Sequence, residues 1–523
     1  MCKRPIKVST ESESLDNVRN FLSQIHLPRY DGDVNLFANQ CVESLYNALQ
    51  PVRREQNVCS NNRESEEVNR WLRLVNNNDD KGIWKAINWK GEISNNNETN
   101  RPSDEEFKTH FEQLLNPPGV ALEADIDEQS VHTIPILDSS ITEFEVQCVV
   151  NELKANKASG TDGLSPGIFK LLPATWISLI TYLFNLVFIE GVYPENWCFS
   201  KLTVLFKKGN SSLCDNYRGI SVMNTLAKIY DSILCKRLEL WFSPFREQAG
   251  AQKGRSCEEQ IATLRLAIDI AKHKKQKLFI VYVDFSKAYD LISRTKLIEI
   301  LKGMGCSPRM MKAIMAIYSS TKNVLGNTII ASILGLKQGS PMSCLLFIIY
   351  LNELVRLYRN QCPVDGFLDW LHCILFMDDT AIMATSKEKC IEKIKIMIDF
   401  CNRYGMKINF SKTMFMVING TIQDRRCIEI DGNKIVHCDR YVYLGALILE
   451  DATFPKFIQE HAADRNKNLI KLYSFLFKNI DLPLKIKFRV MEACFFSSIF
   501  YSCETWFDHR MGKLNTLYLG GIN

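Results

Sequence analysis

Three aspartates stand where acids are costly. Asp284 closes the apolar run LFIVYVDF (278–285), and Asp378 and Asp379 lie between the apolar stretches HCILF and TAIM. Carboxylates packed together at strand ends repel one another unless a cation sits between them. Magnesium suits such a place: it takes hard oxygen ligands, and one or two carboxylates plus substrate phosphates satisfy it. A pair of magnesium ions about 3.5–4 Å apart would neutralise the attacking and leaving oxygens of a phosphoryl transfer together. Taken singly, each motif also reads as an ordinary turn or strand end, because Asp is frequent in turns.

The flanking pattern supplies the elements that would position these acids. Residues 278–285 are continuously apolar, β-branched and aromatic, which predicts a buried strand. HCILFMDD (372–379) predicts a second strand entering a tight hairpin with the acid pair at its tip. A helix is predicted between them at about 295–319. Upstream, ITEFEVQCVVNELKANKA has helical spacing at Ile141, Phe144, Val146, Val149, Val150 and Leu153, and ends in the turn-rich KASGTDGLSP. A further helix, a strand in KLTVLFKKGN and a long helix around TLAKIYDSILCKRLELWF follow. Beyond 450 the pattern is helical. Helices backing a sheet in this order predict an α+β fold.

Composition sets bounds on the whole. Of 523 residues 46% are hydrophobic and 24% charged, ordinary for a globular protein and too apolar for wholesale disorder. The net charge of +5 permits a local basic groove without diagnosing one. The 18 cysteines include no C-x-x-C pair, so a structural zinc site is not expected. MCKRPIKVSTESESL has no apolar core for a secretion signal, so reduced thiols in a nuclear or cytoplasmic, unsecreted protein are expected. Residues 171–189 approach membrane-spanning length but contain Pro, Ser, Thr and Asn, and read as a buried core helix with no membrane partner. Residues 1–135 are polar, with NNRESEEVNR and SNNNETNRPSDEE as linker-like runs, and read as a mostly helical N-terminal extension.

The ordered motifs resemble the reverse transcriptases of non-LTR (LINE-type) retrotransposons, from about 140 to the C-terminus with a weaker echo in 65–115. KASGTDGLSP (157–166) is similar to the loop entering the fingers, KLTVLFKKGN with NYRGISV (216–222) to the paired fingers strands, and EQAGAQKGRS (247–256) to the segment between fingers and palm. VDFSKAYD (283–290), LKQGSPMS (336–343), FMDD (376–379), GMKINFSKT (405–413) and YLG (443–445) resemble polymerase motifs A to E. The resemblance implies a right-hand architecture: fingers at 136–275, a palm with an antiparallel sheet backed by helices at 276–450, and a helical thumb at 451–523. It implies an RNA-directed DNA polymerase taking an RNA template, a DNA primer and dNTPs.

It also implies site residues. Asp284, Asp378 and Asp379 would be catalytic, holding two Mg2+ ions (Mn2+ as substitute) together with Phe285. Lys207 or Lys208 and Arg218 would meet the triphosphate, where a guanidinium fork suits phosphate oxygens. Tyr289 would reject a 2′-hydroxyl; read from residue type alone, a core tyrosine is the lesser alternative. Gln338 and Gly339 would approach the template base and the nucleotide, glycine permitting close backbone approach. Lys412 would protonate the leaving pyrophosphate, with Lys407 as competitor. Tyr443, Leu444 and Gly445 would grip the primer. The basic run KHKKQK (272–277) would touch template phosphates or remain a solvated loop.

Motif C departs from the family in having Met377 before the acid pair, as retroviral enzymes do, where relatives more often have a small residue. Residues 1–135 are too few for an N-terminal endonuclease, and no ribonuclease H pattern follows the thumb. A fragment of a longer element is therefore expected, with nicking supplied by another domain or protein. The other readings are a catalytically silent nucleic-acid-binding remnant and a group II intron maturase-like protein.

Overall fold

A computed structural model describes residues 3, 6, 12–49, 71, 73–76, 83, 101–118, 133–451, 459–461, 463 and 483–505. Most of the linker-like runs of 1–135, and most of the helical pattern after 450, lie outside these residues.

The centre is a six-stranded sheet in the order β6-β7-β3-β8-β10-β9. Its strands are β3 (Leu278–Val283), β6 (Cys373–Phe376), β7 (Asp379–Ala384), β8 (Met414–Ile418), β9 (Ile428–Ile430) and β10 (Asn433–His437). All neighbours are antiparallel except β8 and β10. Every β3 residue is buried, which explains its unbroken apolar sequence: both faces of the strand are covered. On one face Phe279, Val281 and Val283 join the main core with residues of helices Pro341–Gln361 and Lys387–Tyr404. On the other, Leu278, Ile280 and Tyr282 meet Ile261, Leu264 and Ile268 of helix Cys257–His273. Each fully buried side chain of this kind stabilises by about 1.5–3 kcal/mol.

A second, four-stranded sheet has the order β2-β1-β4-β5. β1 (Phe199–Phe206) and β2 (Tyr217–Met223) form the antiparallel pair expected from KLTVLFKKGN and NYRGISV. β4 (Lys322–Leu325) and β5 (Thr328–Ala331) complete it. Helix Asp104–Leu115 packs on this sheet through Phe107 and Phe111, against Leu202, Tyr217, Leu325 and Ile330. A capping box starts that helix, with Ser103 and Glu106 exchanging hydrogen bonds. β11 (Arg440–Tyr443) and β12 (Ala446–Leu449) form a separate hairpin.

Residues 171–189 form the expected core helix, at Ala174–Glu190, closed by Gly191 in the left-handed conformation. Helix Pro341–Gln361 is long and apolar enough to cross a membrane, but is mostly buried in the core.

Two expectations are corrected. The single helix at about 295–319 is two, Arg294–Gly303 and Pro308–Ser319. Gly305 at φ +80° breaks the chain between them, and Ser307 with Pro308 starts the second. Phe144 is not on the buried face of its helix but 77% exposed.

Candidate active site

The sheet register brings the acids together. β3 pairs with β7 so that Val283 faces Thr380, and one step further Asp284 stands opposite Asp379. β6 and β7 close a two-residue turn, Met377–Asp378, with Phe376 facing Asp379. Asp378 is thus at the hairpin tip, and Asp379 is the first residue of β7.

Met377 occupies this turn at φ +58°, a conformation glycine usually supplies in tight hairpins. A neighbouring segment holds it there. Ala249 N–H donates to Leu375 O at 2.9 Å, and Leu375 N–H to Glu247 O at 2.8 Å. Gln248 Oε1 accepts from the N–H groups of Met377 (3.1 Å) and Gly250 (2.8 Å). A Cβ on Gly250 would fall 2.4 Å from Met377 N, so glycine is required for this approach. The sequence marked EQAGAQKGRS only as a connecting segment; nothing local in it announces a brace.

Asp284 is fastened from β8's side. Its N–H donates to Thr413 Oγ1 (3.3 Å), and its carbonyl accepts from Asn409 N–H (2.7 Å). Phe285 bridges Ile408 through Ser286 N–H to Lys407 O and that same Asn409 bond, which leaves the Phe285 carbonyl out of the pairing. Lys412 Nζ lies 3.8 Å from Asp284 Oδ2. Lys407 is exposed, and its carbonyl accepts from Ser286 N–H.

Lost solvent around the carboxyl, with Asp378 and Asp284 beside it, pushes Asp379 up to about 6, although the residue itself reaches the surface. Among the described residues no three His, Cys, Asp or Glu side chains converge tightly enough to grip an ion by themselves. The donors are nonetheless hard oxygens crowded at one sheet end. They fit magnesium in the way that leaves coordination positions for substrate phosphates.

Beside the acids opens a cavity of about 710 Å3, lined among others by Arg218, Tyr289, Gln338, Gly339, Met377 and Asp378. Arg218, Tyr289, Gln338, Gly339 and Asp378, all designated from the sequence, thus share one space. The Tyr289 ring stacks on Phe347, with centroids 4.4 Å apart and planes 10° apart, while its hydroxyl reaches Cys344 Sγ at 3.8 Å. Gly339 has φ +131°, and a Cβ there would lie 2.3 Å from Ser221 O. Lys207 lies near Arg218, Asp290, Lys287 and Lys412; burial and the neighbouring cations lower its pKa. Lys207 and Lys208 are both exposed and both outside the cavity lining.

Tyr443 ends β11, and Leu444 (φ +47°) and Gly445 (φ +82°) form the turn into β12. Tyr501 O–H donates to Leu444 O at 2.7 Å. The hairpin is seated on β3 by Tyr441, stacked on Tyr282 at 3.9 Å. Burial, then the charges of Asp379 and Asp284, push Tyr441 up to about 12, so the hairpin borders the acids. KHKKQK precedes β3 and therefore lies at the end of that strand away from Asp284, about 20 Å along it. Lys277 pairs there with Asp424 at 2.8 Å.

Sequence reading also passed over Lys287, which meets Asp215 at 2.6 Å and His110 Nε2 at 3.4 Å. This ties helix Asp104–Leu115 and the β1–β2 connection to the turn after Asp284. The spacing of VDFSKAYD gave no hint of His110.

Strand-end acids beside a cavity lined by arginine, tyrosine and glutamine are what a nucleotidyl-transferring domain needs. Residues 206–448 match the family described as reverse transcriptase (RNA-dependent DNA polymerase). The chain is 23% identical over 440 residues to the RNA-directed DNA polymerase from mobile element jockey of Drosophila funebris, covering 78% of this chain and 46% of that protein. It is 23% identical over 321 residues to a putative 115 kDa protein in type-1 retrotransposable element R1DM of Drosophila melanogaster, covering 60% of this chain and 30% of that one. With the Pol polyprotein from type-2 retrotransposable element R2DM of the same fly, identity is 21% over 409 residues, 76% of this chain and 38% of that one. Residues 206–448 are therefore similar to a reverse transcriptase domain, and these relatives are proteins of mobile and retrotransposable elements. The chain spans less than half the length of these relatives.

Proposed function

We propose that this chain is an RNA-directed DNA polymerase that extends a primer 3′-hydroxyl with dNTPs in retrotransposition. The observation that carries the reading is the register that sets Asp284 against Asp379, with Asp378 at the turn and facing the cavity. Asp284, Asp378, Asp379 and the Phe285 carbonyl would hold two Mg2+ ions, with Mn2+ as substitute. When bound, such ions lower the charge on the attacking and leaving oxygens of an in-line displacement.

The chain's own residues do the rest. Lys207 and Arg218 take the triphosphate, with Lys208 at the margin. Tyr289, braced by Phe347, leaves no room for a 2′-hydroxyl. Gln338 and Gly339 form the floor under the incoming base pair. Lys412, beside Asp284, delivers a proton to the pyrophosphate as it leaves. Tyr443, Leu444 and Gly445 support the primer end. In this reading β1 and β2 of the four-stranded sheet belong to the fingers (136–275), while β4, β5 and the six-stranded sheet lie in the palm (276–450), and the residues after 450 belong to the thumb.

The test is extension of a DNA primer on an RNA template with the purified chain, dNTPs and magnesium. Template-dependent extension supports the proposal; a fully inactive chain across a range of salt and magnesium sinks it.

A further inference from the structure

Asp290 stands one residue beyond Tyr289, behind the nucleotide cavity. Gln338 lines that cavity and also a small one at its back, shared with Asp290, Arg294 and Gly335. Across this back wall Gln338 Nε2 donates to Asp290 Oδ1 at 2.9 Å.

The backbone carrying Gln338 is clamped from both sides. Gly335 N–H donates to Ile292 O (2.9 Å) and Leu336 N–H to Tyr289 O (2.9 Å). Ser221 N–H donates to Gln338 O at 2.7 Å from β2. Arg294, buried, donates to the carbonyls of Ser332 (2.6 Å), Tyr318 (2.8 Å), Leu334 (2.9 Å) and Gly335 (3.0 Å). What the backbone leaves open is the side-chain amide, which could present either its oxygen or its nitrogen to the cavity. An ionised carboxylate only accepts, so Asp290 draws the nitrogen to itself and turns Oε1 away. Burial pushes the Asp290 carboxyl up, against the Gln338 hydrogen bond and the charges of Lys207, Lys287 and Arg218.

We propose that Asp290 is a positioning residue that sets which face of the Gln338 amide meets the incoming base pair, and so controls nucleotide selection. The proposal rests on the polymerase reading above. Asp290 touches neither the metal-binding acids nor the triphosphate in this role; it acts through Gln338.

The experiment is single-nucleotide incorporation by the full chain on an RNA template with a DNA primer, using matched and mismatched dNTPs. Asp290→Asn keeps the shape but can donate as well as accept, so the amide orientation is released. Matched kcat/KM should fall about tenfold, the scale of one hydrogen bond to a charged group. The loss should lie mainly in KM, and mismatched incorporation should fall less. Gln338→Met, which keeps length and removes the amide, should give the same pattern from the other partner. In the Gln338→Met background Asp290→Asn should add less than about twofold, since residues acting through one contact are not additive. Unchanged selectivity in both single variants, or fully additive losses in the double variant, overturns the role while wild-type extension keeps the polymerase reading. A wild type that does not extend overturns both.

Discussion

Crowding three carboxylates at one sheet end should cost stability that a metal returns, and Asp379 is where this is measurable. Its carboxyl is pushed from the ordinary 3.8 up to about 6. The folded state therefore holds a proton that the unfolded chain has released. The stabilising contribution of that proton is complete below pH 4 and is lost as the pH rises through about 6. A shift of about two units is worth about 3 kcal/mol unscreened. Because Asp379 is exposed, solvent reduces this to about 1 kcal/mol. Asp379→Asn removes the charge without changing shape. In chelator at pH 7.5 the variant should unfold about 1–3 °C above wild type, and the gap should close towards pH 4. Magnesium should raise the wild-type midpoint and leave the variant's nearly unchanged. Thermal unfolding across this pH range, with and without magnesium, provides the assay. A variant less stable than wild type at pH 7.5, or a gap indifferent to pH, would refute the reasoning.

Other outcomes follow from the packing. Tyr289→Ala should open the cavity beneath the sugar and narrow the preference for dNTPs over rNTPs by at least about tenfold, read as the ratio of kcat/KM values; an unchanged ratio would show that the ring does not gate the 2′-position. Gly250→Ala should displace the Met377 turn, costing about 1–3 kcal/mol of stability and slowing extension; wild-type behaviour in both would mean the brace is dispensable. Arg294→Leu should strip hydrogen bonds from the buried carbonyls of Tyr318, Ser332, Leu334 and Gly335 and destabilise by at least about 3 kcal/mol, seen as a lower denaturant midpoint; a midpoint at the wild-type value would contradict the network.

The parts of the site that were readable from sequence are those whose cause is local. LFIVYV is apolar at every position because β3 is covered on both faces, and an acid directly after such a run is conspicuous. The hairpin of β6 and β7 was likewise visible, since two polar residues interrupt two apolar runs, but its tip is one residue earlier than the acid pair: Met377 and Asp378 make the turn and Asp379 opens β7. Some misses were local as well. Gly303, Gly305 and Pro308 mark the break that divides the expected 295–319 helix. Phe144 lies two residues from Val146, about 200° round a helix, so the spacing itself places it opposite the buried Val146, Val149 and Val150. The remainder depends on contacts between distant segments. Gln248 bracing Met377, His110 reaching Lys287, and Asp290 orienting Gln338 join residues 129, 177 and 48 positions apart. No periodicity or spacing encodes such meetings; they exist only once the sheet has assembled.

The central claim is that the acids at the meeting of β3 and the β6–β7 hairpin perform the chemistry and do not merely end strands. Primer extension by Asp378→Asn, measured beside its binding to the same primer–template, tests this most directly. The account predicts extension abolished with binding retained, because Asp378 sits half-buried at a turn and faces the cavity without holding the fold. Extension at the wild-type rate would contradict it.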